Sequence, residues 1–396
     1  MSSTLPYELV EHIISEVSHF PTLKSCCLAG STFVQPCQRR LHTKILLNFA
    51  MKEQARARTA SKVVEHFDES PHLAAYVTRL ELDNIQDSHP IRDVIRVLRL
   101  LTNIKHLSIA VSEDCKHNWN DLPKKVTSTI FSWVEQLSGA LDTLVLLRLK
   151  MIPLPIMLRM VTMTRSLTIT YGSVEGVSKS APSLPAVKTE LHHLDFSHSP
   201  SLGPLILRRE YRTLANHIRS LVAQPLNADT VTLCALTARN LERLRVTFTN
   251  VNQVPPSIFP SHYPNLTHLR LTIHSHPMND NLVSNFSFSP LLRVALDPAS
   301  TRGFRSLTFY IITHVDAHYR SRRFARYTFP KAIAMMRLDS LLERHPMVKS
   351  VKCFAAFDSR DDPIQCFEPF AAAVRQQLPG VSAKGMLNIV AAPTLV

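Results

Sequence analysis

A short pattern recurs ten times between residues 77 and 353: an apolar residue, two variable ones, a central Leu, one variable residue and a second apolar one. The central position falls at Leu80, Leu107, Leu144, Leu167, Leu194, Leu221, Leu244, Leu269, Leu307 and Val351, at spacings of 27, 37, 23, 27, 27, 23, 25, 38 and 44 residues. Most of these spacings lie within the roughly 20–29 residues that one strand plus a return segment occupies in leucine-rich repeats, and the three long ones read as insertions.

Each instance alternates like a short strand, as in Val77-Thr-Arg-Leu80-Glu-Leu82 and Leu266-Thr-His-Leu269-Arg-Leu271. Stretches able to form helix lie between the instances, such as Pro90 to Leu101 and Tyr211 to His217. One strand with one helix cannot bury its own apolar face, so neighbouring units must stack. The expected fold is α/β: a short helical N-terminal module followed by an irregular leucine-rich-repeat-like solenoid with a curved, mainly parallel sheet. It is irregular because the Asn expected three residues after the last Leu is absent and only 8 glycines occur in the chain.

Ahead of the repeats lies a different pattern. Pro6 suits a first helical position, and Glu8 places negative charge at the positive end of the helix dipole. Leu9, Val10, Ile13, Ile14 and Val17 gather on one face of a helix that should end before Pro21. A second helix is expected from Thr22 to Ala29, closed by Gly30, and a third segment from near Pro36 carrying Arg39, Arg40, Leu41 and Ile45. The expected organisation is a module over 1–47, a connecting helix within 48–70 and repeats over 71–396.

Leu5-Pro6-Tyr7-Glu8-Leu9, Ile13-Ile14, Leu23-Lys-Ser-Cys-Cys-Leu28 and Arg39-Arg40-Leu41 together resemble the F-box of fungal F-box proteins. The segment from Ser70 to Leu82 resembles their first repeat. The resemblance implies a substrate-recruiting subunit of a ubiquitin ligase that has no active site of its own. Its module would dock on a Skp-type adaptor and through it on a cullin, while the repeats hold the protein to be ubiquitinated. It implies an adaptor surface of Leu5, Pro6, Leu9, Ile13, Ile14, Leu23, Leu28 and Phe33. The same apolar residues would also serve to cap the end of a repeat array.

Composition narrows the alternatives. The longest apolar stretch, Leu141 to Met160, is broken by Asp142, Arg148, Lys150, Pro153, Pro155 and Arg159, which excludes a bilayer span of about 20 residues. Glu8 and Glu11 stand where a secretory signal needs a basic start and an apolar core, so a cytoplasmic or nuclear location is expected. Seven scattered cysteines without a CxxC pair suggest neither a disulfide framework nor a zinc site, and no cofactor is expected.

The net charge of +14 directs attention to where the cations lie. Arg243, Arg245 and Arg270, with His268, occupy strand positions facing away from the core, a patch suited to an acidic or phosphorylated protein segment. The run His318 to Tyr327 interleaves aromatics with arginines, the composition of a nucleic-acid strip, and a scaffold binding protein or nucleic acid through these later repeats is the alternative function. His268, His274 and His276 lack a nearby carboxylate or Cys for a metal, and Asp358, Asp361 and Asp362 read as a loop and helix start. No H-E-x-x-H, G-x-S-x-G, P-loop or G-x-G-x-x-G motif occurs.

Overall fold

A computed structural model describes residues 5–49, 59–85, 91–111, 118–137, 139, 141–175, 183, 185–186, 189–197, 199, 201–223, 228–248, 260–275, 289–314, 337–358 and 363–392. The chain is α/β with mainly parallel sheet, and it divides into two compact units, Met1–Leu191 and His192–Val396.

The first unit opens with three helices, α1 (Tyr7–Glu16), α2 (Phe20–Ala29) and α3 (Ser31–Leu41). They enclose a small core of Val10, Ile14, Leu23 and Cys37, with Val17, Cys26, Cys27, Phe33 and Leu41 packed around it. Pro6 accepts bonds from the backbone N–H of Leu9 and Val10, starting α1, and Gly30 in extended backbone separates α2 from α3. The third helix therefore begins at Ser31, five residues before the expected start, and Pro36 lies buried within it.

Two residues after α3 the chain becomes strand β1 (Lys44–Asn48), so the module boundary expected at residue 47 falls inside a strand. Ile45, expected on the third helical segment, instead aligns with Leu80 of β2 (Arg79–Asp83) in a parallel pair. This first strand escaped the pattern because His42 occupies the leading apolar position. The connecting helix is observed as α4 (Ala60–Glu69), which the Thr59 hydroxyl caps by accepting from Lys62 N–H.

The sheet continues with β3 (His106–Ala110), β4 (Thr143–Leu147) and, past the two-residue strand β5 (Ile152–Pro153), with β6 (Ser166–Thr170). β5 pairs separately with β7 (Val174–Glu175). Leu80, Leu107, Leu144 and Leu167 stand in register on successive strands, none more than 1% exposed. Helices α5 (Ile91–Leu100), α6 (Lys124–Gln136) and α7 (Leu154–Met163) fill the returns and bury Val94, Val97, Ile130, Trp133, Met157 and Val161. Fully burying one such side chain contributes about 1.5–3 kcal/mol.

The second unit repeats the arrangement with β8 (His193–Asp195), β9 (Ser220–Ala223), β10 (Arg243–Phe248), β11 (His268–Ser275), β12 (Ser306–His314), β13 (Ser350–Asp358) and β14 (Leu387–Ala391), all parallel and in chain order. Leu194, Leu221, Leu244, Leu269, Leu307, Val351 and Leu387 share one register. Within each unit the inferred central positions therefore align strand by strand, and the structure adds Ile45 and Leu387 to the series.

An asparagine does organise some repeats, but before the strand rather than after it. Asn103, Asn240 and Asn265 each donate a side-chain N–H to a backbone carbonyl of the preceding repeat, at Ala75, Asn216 and Arg239. In each case the Asn stands four residues ahead of the central Leu. In most turns one carbonyl, such as Thr78, Glu242 or Thr267, also accepts from two successive backbone N–H groups of the next turn, binding turn to turn. Thr164 takes the leading apolar position of the β6 repeat and is fully buried, its hydroxyl donating to Asp142 O.

Candidate functional site

Two surfaces carry the residues that sequence reasoning singled out. On α1 the five-residue apolar face divides. Val10 and Ile14 point into the helical core, while Leu9 and Ile13, four residues apart, face outward at 51% and 49% exposure. Successive helical residues are about 100° apart, so a face this broad exceeds what one contact can cover. Leu5 is 48% exposed and Leu28 89%, and Pro6 is exposed as well.

Three members of the expected adaptor surface stand elsewhere. Ile14 and Leu23 are 1% and 3% exposed within the helical core, so the expectation that they form a surface is corrected. Phe33 is half-buried against the same core. Tyr7 and Phe20, outside the expected set, are exposed at 39% and 53%. The spacing of four and three residues from Val10 to Ile14 to Val17, one inward residue per helical turn, is the signal that separates the inward stripe from Leu9 and Ile13.

The second surface is the outward strand face of the second unit. Position by position, His193, Ser220, Arg243, His268, Ser306 and Ser350 form one row across neighbouring strands. The next row holds Asp195, Val222, Arg245, Arg270, Thr308, Lys352 and Asn388. The four expected residues thus fall together on two adjacent strands, with Arg243 beside His268 and Arg245 beside Arg270.

Arg243 and His268 are exposed, whereas Arg245 and Arg270 are half-buried. The Nε atoms of both half-buried arginines are shielded from solvent and have no hydrogen-bond partner among the described residues. The Arg270 guanidinium lies 4.9 Å from the centre of the Tyr310 ring, which stacks on Phe354 at 6.0 Å and 28°. Burial, with the neighbouring charge of Arg245, holds the Arg270 pKa below its ordinary value, and Tyr310 opposes the shift. Burial, with Arg243 and Arg305, also lowers the His268 pKa.

His193 accepts or donates across 2.8 Å to the Ser220 hydroxyl, and its pKa is lowered chiefly by burial, with Asp195 opposing and Arg243 reinforcing. Asp195 is itself held by the backbone N–H and hydroxyl of Ser197. Tyr310, Phe354, Thr308 and Lys352 were not singled out from the sequence. Counting one and three residues past each central Leu places all four on this face.

Among the described residues no three His, Cys, Asp or Glu side chains converge as a metal site. His276, the run His318 to Tyr327, Asp361 and Asp362 lie outside the described residues, and Asp358 ends β13. Cys37, Cys234 and Cys353 are buried, and burial pushes each thiol pKa up to about 12, which makes them packing residues rather than nucleophiles. Among the described residues no helix is long and apolar enough to cross a membrane. The chain matches no protein-family model and no curated protein, so the reading of these two surfaces rests on the residues themselves.

Proposed function

We propose that this chain is a substrate-recruiting subunit of an SCF-type ubiquitin ligase, with helices α1 to α3 as an F-box-like module and the remainder as an irregular leucine-rich-repeat-like, curved solenoid. The module docks on a Skp-type adaptor and so reaches a cullin, while the repeats hold a target protein. The chain contributes no chemistry: it holds the target near a ligase active site carried by another protein, and proximity accelerates transfer.

One observation carries the reading. The helical module has a core of its own, yet Leu5, Leu9, Ile13, Phe20 and Leu28 project outward at 48% exposure or more. A patch of large apolar side chains on a small module marks an interaction surface. Val10, Ile14 and Leu23 are taken up by the core of the module itself, which leaves the outward stripe available to a partner.

Co-purification with a Skp-type adaptor tests the proposal. The wild-type chain should be retained where an established F-box protein is retained, and Leu9→Asp combined with Ile13→Asp should abolish retention at unchanged Tm. Failure of the wild-type chain in that experiment sinks the reading. A scaffold that binds nucleic acid through Arg243, Arg245 and Arg270 is the second reading. Its affinity would fall steeply with salt, whereas an apolar adaptor interface would hold.

A further inference from the structure

Strand β14 pairs on one side only, with β13. The Met386 carbonyl accepts from Val351 N–H, and Ala392 N–H donates to the Ala355 carbonyl. In this parallel register the even-numbered residues turn their backbone groups toward β13, so the N–H and C=O groups of Leu387, Ile389 and Ala391 point away along an open edge. Among the described residues none of these groups is bonded. A row of backbone groups in this state is a template for another strand.

The side chains at this edge are also short of cover. Leu269, Leu307 and Val351, which precede Leu387 in its row, are at most 1% exposed, and Phe309 and Cys353, which precede Ile389, are fully buried. Leu387 and Ile389 are only half-buried. Each turn of a stacked array is covered by the next, so the last one needs something beyond it. Edge strands that resist further pairing carry a charge, a proline or a bulge. Leu387-Asn-Ile-Val-Ala391 has neither charge nor proline, and its register with β13 runs without a bulge.

We infer that this edge joins two copies of the chain, with β14 of one running antiparallel to β14 of the other about a two-fold axis at Ile389. The strand is self-complementary in that register: Ile389 faces its own counterpart, Leu387 faces Ala391 of the second copy, and Asn388 faces Val390. The edge-facing residues all fall at hydrogen-bonded pairs, each exchanging two bonds, about six in all. An ordinary interface carries roughly 10 ± 5 direct hydrogen bonds, so this number suffices for association between folded proteins. Paired residues share a face, so the second copy's Ile389 and Ala391 cover Ile389 and Leu387, and the apolar rows run on across the axis. Like charges placed opposite each other destabilise a strand pair, and none meet here, because the strand carries no charge. The two-fold pair also closes on itself, using up the edge of both copies. A foreign strand has to match this alternation with a sequence of its own, whereas a second copy brings it.

The inference goes beyond the ligase reading and does not depend on it. Under that reading the pair holds two target-binding surfaces in one assembly, which strengthens capture of a target with two recognition segments.

Sedimentation velocity on the full chain should show monomer giving way to dimer as concentration rises through about 1–100 µM. Ile389→Lys, which sets two ammonium groups opposite each other at the axis, should weaken association about tenfold or more. Ile389→Pro should do the same: its lost N–H faces the open edge, so every bond to β13 survives, and circular dichroism should match the wild type. A second measurement reads the register without touching Ile389. Asn388→Cys and Val390→Cys, mixed and oxidised with glutathione disulfide, should form a covalent heterodimer, because facing residues in a non-hydrogen-bonded pair have Cα atoms about 4.5 Å apart. Each variant oxidised alone should yield severalfold less, since like residues then stand about 7–8 Å apart on the diagonal.

A wild-type chain that stays monomeric throughout that range overturns the inference, as does a dimer that persists in both folded Ile389 variants. Equal cross-linking in the mixed and single-variant samples overturns the antiparallel register. A monomeric wild type that retains a foreign chain which Ile389→Pro releases overturns it in favour of a different partner at this edge.

Discussion

The outward strand faces of the two units follow the same backbone period and differ in charge at the position after the central residue. In the first unit the residue after each central position reads Leu46, Glu81, Ser108, Val145 and Thr168, and its one charge pairs with Lys44. In the second unit the same position carries Arg245, Arg270 and Lys352 among its members, with no carboxylate aligned beside the arginines. A period of two residues delivers every such side chain to one face whatever its charge. Compensation is therefore a matter of sequence choice at each turn, and no carboxylate stands beside Arg245 or Arg270 in register.

The inward faces should not share this difference. Leu107→Ala in the first unit and Leu244→Ala in the second, both 1% exposed, should each cost about 2–5 kcal/mol in urea denaturation. Costs that differ severalfold between the two would break the comparison, since it assumes equivalent cores beneath unequal surfaces.

Smaller effects attach to the links between turns. Asn240→Ala removes the 2.5 Å bond to the Asn216 carbonyl and should cost about 1 kcal/mol. Asn103→Ala, which loses its bond to Ala75, should match it. A null result at both positions, read from urea midpoints, would mean that the backbone bonds alone hold successive turns.

The outward face itself predicts opposite signs. Glu81→Met breaks the partly exposed pair with Lys44 and should lower stability by less than about 1 kcal/mol, an effect that shrinks in high salt. Arg245→Met should leave stability unchanged or raise it slightly. A loss at Arg245 comparable to that at Glu81 would show that the arginine is already compensated.

The smallest expected effect is a pH dependence. His106, His193 and His268 all have folded-state pKa values below the ordinary histidine value, each chiefly through burial. The unfolded chain then binds protons more readily, so their contribution is present above the ordinary histidine pKa of about 6.5 and is lost as pH falls below it. Stability measured at pH 7 should decline on acidification toward pH 5, and His193→Gln should flatten that slope. An unchanged slope would relieve His193 of the role.

Much of the fold was legible because the inward positions obey a rule that needs no partner. An apolar residue three before Leu and another two after it describe one face of a strand, and both flanking positions are buried at nearly every repeat. What escaped was informative. β1 was missed because His42 fills the leading position, and it lies immediately after helix α3, where a continuing helix was the simpler expectation. The repeat pattern expects its Asn after the strand, whereas Asn240-Leu241 and Asn265-Leu266 carry it before the strand.

The candidate sites were legible to different depths. Arg243, Arg245, His268 and Arg270 were placed on one face by counting, but their aromatic neighbours Tyr310 and Phe354 come from repeats separated by long insertions. On α1 the apolar face was recognised as a whole, and Ile14 was assigned to the surface when it belongs inside.

By itself the sequence determined the period, the strand positions and the face on which each side chain falls, because alternation along a strand is a local property of the backbone. Only the tertiary structure decided which half of the α1 stripe stays outside and that two arginines stand side by side with no carboxylate next to them in register. Both depend on what lies alongside: a neighbouring helix in one case, and in the other a strand whose place beside its neighbour is set by stacking across two dozen residues.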